Sequence, residues 1–282
     1  MGVSFGDRTW LRRLGWATLV ANMGIVLTGG AVRLTGSGLG CPTWPRCHGS
    51  SFTPHGALDV HSAIEFGNRT LTFVLTAIAI ATFVSAWRSG RRDLRRLALW
   101  LGLSVPAQAV LGGITVLTDL NPWAVAFHLL FSMAIISLAV LYLWRIDHPD
   151  RPPALPPRLD ALAWATYAAG WLVLALGTIV TGSGPHAGDA TAPRNGLDPL
   201  ELSQLHADFV FLLVGLSVAL VVVHPVRATW VLLGVELAQG LIGFVQYFTD
   251  LPVVLVGFHL LGASLVAAAV TWVVIEVKES PV

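Results

Sequence analysis

Two histidines occupy equivalent places in a repeated segment, and they are the ionisable side chains that both copies retain within an apolar run. His128 belongs to residues 108–130 and His259 to residues 239–261, which align without a gap at a constant offset of 131 residues. Each copy has an apolar run, a Thr-Asp-Leu turn, and a second apolar run with its histidine near the start. Such internal similarity indicates a duplicated structural module.

Three further polar side chains fall near the starts of other long apolar segments. Glu65 and Asn68 lie at the start of the second segment, and His206 lies at the start of the sixth. An ionisable group inside a membrane span is costly and usually faces a cavity or a partner. We therefore interpret His128 and His259 as ligands rather than as core histidines.

The number of histidines favours heme iron over a metal ion bound by protein alone. Zinc requires three or four converging ligands, and these histidines lie on well-separated segments. Two histidines on facing helices of a four-helix bundle suit the two axial positions of a heme. His206 and His259 form such a pair, whereas the first half offers only His128, because Asn68 stands where a partner is expected.

The composition is that of an integral membrane protein. Hydrophobic residues make up 55% of the chain and charged residues 12%, whereas about a quarter of the residues of a soluble domain are charged. A net charge of +1 gives no basic face for nucleic acid, so membrane lipid is the expected surrounding. The pair Arg12-Arg13 precedes a full-length span, so we expect no cleavable signal peptide.

Eight apolar runs reach the length of about 20 residues that a helix needs to cross a bilayer. They cover residues 14–34, 66–87, 97–117, 123–144, 161–181, 204–223, 229–248 and 253–276. Backbone groups in lipid must be satisfied within the segment, so all eight are expected to be helical. The sequence predicts an all-α membrane protein of eight transmembrane helices in two pseudo-symmetric four-helix bundles. The halves are residues 1–146 and 159–282, joined by a Pro-rich linker at 147–158.

Basic residues predict the orientation in the membrane. Thirteen of the 17 Lys and Arg residues flank the segments on the side that carries both termini. The positive-inside rule places that side in the cytoplasm. The candidate ligands then lie toward the outer face.

Three motifs resemble the heme A synthases. They are TGGAVRLTGSGLGCPTWPRCHG at 28–49, IEFGNR at 64–69 and the two Phe-His-Leu-Leu sequences, and the resemblance extends over essentially all eight spans. It implies a bacterial plasma-membrane oxidoreductase that converts the methyl group of heme O to the formyl group of heme A for cytochrome oxidase. Heme O, the heme O synthase that supplies it and the cytochrome oxidase assembly machinery are the implied partners.

The resemblance also implies a role for each half. The C-terminal half of the family holds heme b on two histidines, which match His206 and His259, and the N-terminal half is the substrate site. There the matching residues are Glu65 as a catalytic group and His128 as a ligand.

The motif at 64–69 departs from the family pattern at one position. The family often has Glu-x-x-His-Arg, whereas this chain has Asn68 in place of the histidine. We expect Asn68 to act with Glu65 in catalysis. The adjacent Arg69 is expected either to oppose a raised pKa of Glu65 or to hold a heme propionate through a bidentate pair. The second outer loop also lacks the cysteine pair that some members carry.

Other polar and small residues have simpler interpretations. Cys41 and Cys47, in an outer loop, are either a disulfide or reactive thiols, since the outer compartment is oxidising. His61 lies one turn before Glu65 and is a further candidate for the site. Glu236 inside the seventh span is expected to hydrogen-bond a neighbouring helix. Glycines of the repeat are expected to allow close helix packing; they are Gly112, Gly113, Gly240 and Gly243.

Two other classes of protein fit part of the pattern. A di-heme b-type electron-transfer protein without substrate oxidation needs only the histidines. A transporter also has pseudo-symmetric halves with polar sites inside the membrane. Heme O or heme A extracted beside heme b favours the synthase, heme b alone favours the electron carrier, and no heme favours the transporter.

Overall fold

The computed structural model describes residues 5–54, 59–149 and 157–279, and these residues form eight α-helices and no β-strand. Each helix is long and apolar enough to cross a membrane, which confirms the all-α, multi-pass fold. The helices are α1 (Arg8–Leu34), α2 (Val60–Arg88), α3 (Arg92–Leu117), α4 (Pro122–Asp147), α5 (Pro157–Ser183), α6 (Pro199–Val223), α7 (Arg227–Phe248) and α8 (Val253–Glu279). Of the predicted linker, residues 150–156 lie outside the described residues.

Several helices begin before the apolar runs that predicted them. Helix α2 begins at Val60 rather than at residue 66, and α6 begins at Pro199 rather than at residue 204. The Asp59 side chain accepts a hydrogen bond from the backbone N–H of Ser62, and Asp198 caps α6 in the same way. Hydropathy marks only the part of a helix that lies in hydrocarbon, whereas a capping side chain sets the first turn.

Each half of the chain is a closed ring of four helices. In the first half α1 packs on α2, α2 on α3, α3 on α4, and α4 back on α1. In the second half α5 to α8 repeat this order of contacts. The four-helix organisation of each half is therefore present in the structure.

The two rings meet along α1 and α4 of the first half and α5 and α8 of the second. The core lies at this boundary, where Ile136 and Ala139 of α4 and Ala267 and Val273 of α8 are fully buried. Small residues allow the helices to approach closely, which is how helices associate in membranes.

The repeated Thr-Asp-Leu turns have the same backbone conformation. Asp119 and Leu120 have φ values of 51° and 58°, and Asp250 and Leu251 have 58° and 55°. This left-handed region is uncommon for residues other than glycine. The shared conformation supports the predicted pseudo-symmetry of the two halves, which stays a prediction.

Both long interhelical loops lie at one end of the bundle, which we name the loop end. The first loop connects α1 to α2, and the second, residues 184–198, connects α5 to α6. Glu65, Asn68, His128, His206 and His259 all lie within the first ten residues of helices that start at this end. The candidate site residues therefore lie at a similar depth, near the loop end of the bundle.

Candidate functional site

Among the described residues, a histidine or an asparagine that itself lies in a helix packs on a glycine of the preceding helix at four places. A Cβ atom built on each glycine would lie between 3.2 and 4.0 Å from the nearest atom of that side chain. The four pairs are Gly29–Asn68, Gly112–His128, Gly177–His206 and Gly243–His259. Three of the four positions hold an imidazole, and the remaining one holds the amide of Asn68.

The glycine contacts refine the interpretation of the repeat glycines. Gly112 and Gly243 receive the rings of His128 and His259, so the space that they leave is taken by a functional side chain as well as by helix packing. Gly240, in contrast, has no atom within 4 Å of a Cβ built on it.

The imidazoles of His206 and His259 face each other across the second ring of helices. Their ring centroids are 6.5 Å apart and their planes are inclined by 78°. Two imidazoles that bond one metal from opposite sides, at about 2 Å per bond, have ring centres roughly 6 Å apart. The spacing therefore fits two axial ligands of one heme iron.

The three histidines present buried ring nitrogens. In the part of the chain that the structure describes, Nδ1 of His128, His206 and His259 has no partner of normal hydrogen-bond geometry, and the backbone of Val173 is the nearest candidate for His206. A buried polar atom without a partner calls for an explanation, such as a bound group that the side chain serves. Imidazole is a ligand that heme iron takes, so these three residues fit the group that the sequence predicts.

Asn68 is held by a hydrogen bond from α1. The Thr28 hydroxyl donates to Asn68 Oδ1 over 2.8 Å. This bond occupies the amide oxygen, and the amide nitrogen lies next to Gly29 of α1. Thr28 was not singled out from the sequence, although it is the first residue of the motif at 28–49.

Glu65 is buried and its carboxylate is directed at the first loop. Its side chain is 5% exposed. Oε2 accepts a hydrogen bond from the Cys41 backbone N–H over 2.7 Å, and Oε1 accepts two from Arg69 over 3.1 and 2.5 Å. A buried carboxylate needs such partners, because an unpaired buried charge is very costly.

Arg69 joins Glu65 to the backbone of the same loop. Its Nη1 donates to the carbonyl of Thr43 over 3.0 Å, and its Nη2 donates to the carbonyl of Cys41 over 2.8 Å. A third loop carbonyl, that of Arg46, lies 3.3 Å from Nη1. In this structure the guanidinium therefore anchors the loop; its binding of a heme propionate stays a prediction.

Cys41 and Cys47 form a disulfide, which confirms the first of the two interpretations. Both residues are fully buried. His48 Nδ1 lies 3.2 Å from the Cys47 sulfur, and His48 is close enough to act on Glu65 electrostatically. The disulfide, Glu65 and Arg69 thus form one compact group at the loop end.

The indole of Trp44 reaches from this loop into the first ring of helices. A Cβ built on Gly113 of α3 would come within 2.8 Å of Trp44 Cγ. Gly113 is the neighbour of Gly112, on which His128 packs, so the loop extends to the side of the candidate ligand. No periodicity in the loop sequence indicates this contact.

The second loop lies over the first half of the chain. Arg33, in the last turn of α1, donates to the carbonyls of His186 and Thr181 over 2.6 and 2.8 Å. The backbone N–H of Gly38 donates to the carbonyl of Gly188 over 2.8 Å. The loop that follows α5 therefore covers the loop end of the first ring.

His61 and Glu236 lie apart from the glycine contacts. His61 is exposed, and its Nδ1 lies 2.9 Å from the Ser37 hydroxyl. Glu236 is buried and accepts a hydrogen bond from Ser217 of α6 over 2.8 Å. The expected bond from Glu236 to a neighbouring helix is present.

Comparison with known proteins gives a match over most of the chain. Residues 12–233 match the model of a family described as cytochrome oxidase assembly protein, COX15-CtaA. This range contains the first loop, His128 and His206, and it ends before His259.

Individual relatives match shorter parts. A heme A synthase of Bacillus licheniformis is 32% identical over 136 residues, which are 47% of this chain and 43% of the relative. A heme A synthase of Shewanella oneidensis is 30% identical over 170 residues, 55% of this chain and 50% of the relative. A protoheme IX farnesyltransferase of Halobacterium salinarum is 30% identical over 125 residues, 44% of this chain and 28% of the relative. The chain thus spans half or less of the length of these relatives.

Proposed function

The chain belongs to the COX15-CtaA family of cytochrome oxidase assembly proteins, and on that premise we propose that it is a heme A synthase. It oxidises the methyl group of heme O to the formyl group of heme A. Relatives named heme A synthase support the product, and the relative named protoheme IX farnesyltransferase supports a farnesylated heme as the substrate. The glycine contacts hold two histidines in the second half but one histidine and one asparagine in the first. This difference is the main observation behind the proposal that the two halves have different roles.

The second half holds heme b between His206 and His259. The 6.5 Å separation of the two rings supports this assignment. When bound, this heme would supply electron transfer, with His206 and His259 as the residues that would hold it. The protein contributes the fixed direction of each ring, which the contacts with Gly177 and Gly243 determine.

The first half holds heme O as the substrate, with His128 as its protein ligand. Asn68 is on the other side of the ring of helices, and an amide is a poor ligand for heme iron but a competent hydrogen-bond donor. The bond from Thr28 occupies the amide oxygen, so the NH₂ group is the part of Asn68 that can donate to the substrate side. Asn68 therefore leaves one face of the substrate iron accessible and offers a donor beside it.

Glu65 is the acid-base group of the first half. It precedes Asn68 by three residues, so both start from the same face of α2. Arg69 and the Cys41 N–H fix the carboxylate, and a proton moves at one of its two oxygens during methyl oxidation. General acid-base catalysis of this kind requires a carboxyl group in a fixed position near the reacting carbon.

The orientation and location of the protein complete the proposal. Both termini face the cytoplasm of a bacterium, and the loop end faces outward from the plasma membrane, as the distribution of basic residues indicates. Residues 1–146 form the substrate half and residues 159–282 form the heme b half. A heme O synthase is the expected supplier, and the cytochrome oxidase assembly machinery is the expected recipient.

Pigment and product analysis tests the proposal. The wild-type protein, purified from cells that make heme O, is expected to carry heme b together with heme O or heme A. Glu65→Gln should keep both hemes and accumulate heme O or a partly oxidised product, and His128→Ala should lose only the substrate heme. Normal heme A production by both variants contradicts the mechanism.

Loss of the low-spin signal in His206→Ala or His259→Ala tests the heme b assignment separately. An undiminished bis-histidine spectrum in either variant contradicts it. Heme b as the sole pigment of the wild-type protein would favour the di-heme electron carrier, in which His206 and His259 would hold one heme and His128 the other.

A further inference from the structure

An apolar groove lies between α2 and α3 in the first half of the protein. Its volume is about 240 Å³, and Thr76 provides its one polar side chain among mainly aliphatic neighbours. Ala79 and Phe83 line it from α2, and Gly102 and Pro106 line it from α3. The groove therefore belongs to the two helices that also carry Glu65, Asn68 and Gly112.

The sequence of α3 explains why the groove is open. Pro106 lies inside the helix, where it has no backbone N–H and its ring excludes the carbonyl of the residue four positions earlier. That residue is Gly102, and a Cβ built on it would meet no atom within 4 Å. A proline and a glycine one turn apart thus remove side-chain volume and helix regularity at the same point.

The second half fills the equivalent positions. At the offset of 131 residues that aligns the repeats, Gly102 and Pro106 correspond to Leu233 and Leu237 of α7. Leucine at both positions restores a regular helix with full side chains. The groove is therefore built into the half to which we assign the substrate.

A second difference between the halves concerns the same level of the bundle. Val105, next to Pro106, corresponds to Glu236, which is hydrogen-bonded to Ser217. That bond joins α6 to α7, whereas the equivalent pair of helices, α2 and α3, has the apolar groove between them.

The groove lies at the depth that a substrate tail would reach. Thr76 is eight residues beyond Asn68, or about 12 Å along α2, and Pro106 is six residues before Gly112, or about 9 Å along α3. At about 1.5 Å per carbon–carbon bond, the main chain of a farnesyl group extends far enough to enter the groove from the level of His128.

We propose that this groove binds the isoprenoid tail of heme O, an inference that rests on the proposed function. A tail gains little by leaving lipid for an apolar groove, because lipid chains are as apolar as leucine. The main effect of the groove is therefore on orientation. A tail held between α2 and α3 fixes how the macrocycle is turned on His128, and so which methyl group faces Glu65.

Heme binding by a groove-filling variant tests the proposal. Gly102→Leu fills the groove with the side chain that stands at the equivalent position 233, and Gly234→Leu is the matched control, since a Cβ at Gly234 also meets no atom within 4 Å. The purified full-length proteins, in lipid nanodiscs, are titrated with heme O and with heme b, which has no tail. Gly102→Leu should leave the affinity for heme O nearly unchanged, because the displaced tail returns to lipid, but it should shift the induced circular-dichroism spectrum of the bound heme O, which reports how the macrocycle is turned. The affinity and the spectrum of heme b at the same site should stay unchanged. The control should bind both hemes as the wild-type protein does.

A second variant protects the test against a folding defect. Ile80→Phe fills the groove from α2 at a side chain that is 59% exposed, and it should have the same selective effect. An unchanged heme O spectrum in both variants overturns the proposal and indicates lipid acyl chains as the occupant. Equal loss of both hemes in both variants also overturns it. Failure of the wild-type protein to bind heme O at all would instead contradict the proposed function.

Discussion

The Thr28 hydroxyl donates a hydrogen bond to Asn68 Oδ1 over 2.8 Å, at the one glycine contact that does not hold a histidine. The bond makes Asn68 a directed donor rather than a mobile polar group. It also explains how an asparagine can replace a ligand at this place without leaving its amide oxygen unsatisfied.

Asn68→His is predicted to turn the heme of the first half six-coordinate. The new imidazole would lie over Gly29 as His206 lies over Gly177, and two imidazoles close both faces of the iron. Optical and EPR spectra of the purified variant should show a second bis-histidine heme. Asn68→Gln is the control, because it keeps an amide. A variant spectrum identical to that of the wild-type protein would contradict the predicted position of the substrate.

Replacing Gly177, on which the His206 ring packs, with a larger residue is predicted to remove heme b. A Cβ on Gly177 would already lie 3.2 Å from the His206 ring, so Gly177→Val should displace the imidazole at an overpacking cost of about 1–3 kcal/mol. The heme b content of the purified protein measures the effect. Gly215→Val is the control, since Gly215 has open space around a built Cβ. Full heme b content in Gly177→Val would show that the contact does not position the ligand.

Arg69→Ala is predicted to expose the Cys41–Cys47 disulfide to reductants. The variant loses the guanidinium bonds to Glu65 and to the loop carbonyls, each worth about 1.5–3 kcal/mol as a hydrogen bond to a charged group. Thiol labelling after mild reduction should proceed faster than in the wild-type protein. Arg46→Ala is suited as a control, because Arg46 is exposed and its side chain lies over the ring of Phe52. Equal rates of thiol labelling in the two variants would contradict the proposed role of Arg69 in anchoring the loop.

The loop end is predicted to face outward in intact cells. Ala190, in the second loop, is exposed, whereas Ser89 lies at the opposite end of the bundle between α2 and α3. An impermeant thiol reagent added outside should label Ala190→Cys and not Ser89→Cys; permeabilised cells provide the control for reactivity. The reverse pattern would invert the proposed topology.

The sequence predicts those parts of the molecule that depend on periodicity and repetition. Eight long apolar runs require eight helices, and the aligned repeats identify His128 and His259 as equivalent. The bond between Glu236 and Ser217 follows from the cost of a lone carboxyl group in a membrane. These features are local, or they repeat, so they are visible without coordinates.

Contacts made by loops are not predictable in this way. The insertion of Trp44 beside Gly113 depends on the path of a disulfide-closed loop, and the covering of α1 by residues 184–198 depends on the packing of two halves. The bonds of Glu65 to Arg69 and to the Cys41 backbone depend on the path of the same loop. Shared helical faces follow from residue spacing, but the direction of a long side chain depends on what surrounds it.

The bonds from Arg33 to Thr181 and His186 have a consequence for biosynthesis. Arg33 is made and inserted with the first helix, but its two acceptors are translated about 150 residues later. During the interval the guanidinium must remain hydrated at the membrane surface, since a charged group is too costly to leave unpaired in lipid. The loop end of the first ring can therefore reach its final structure only after the fifth helix has been inserted, so the substrate half matures after the ribosome has begun the second half.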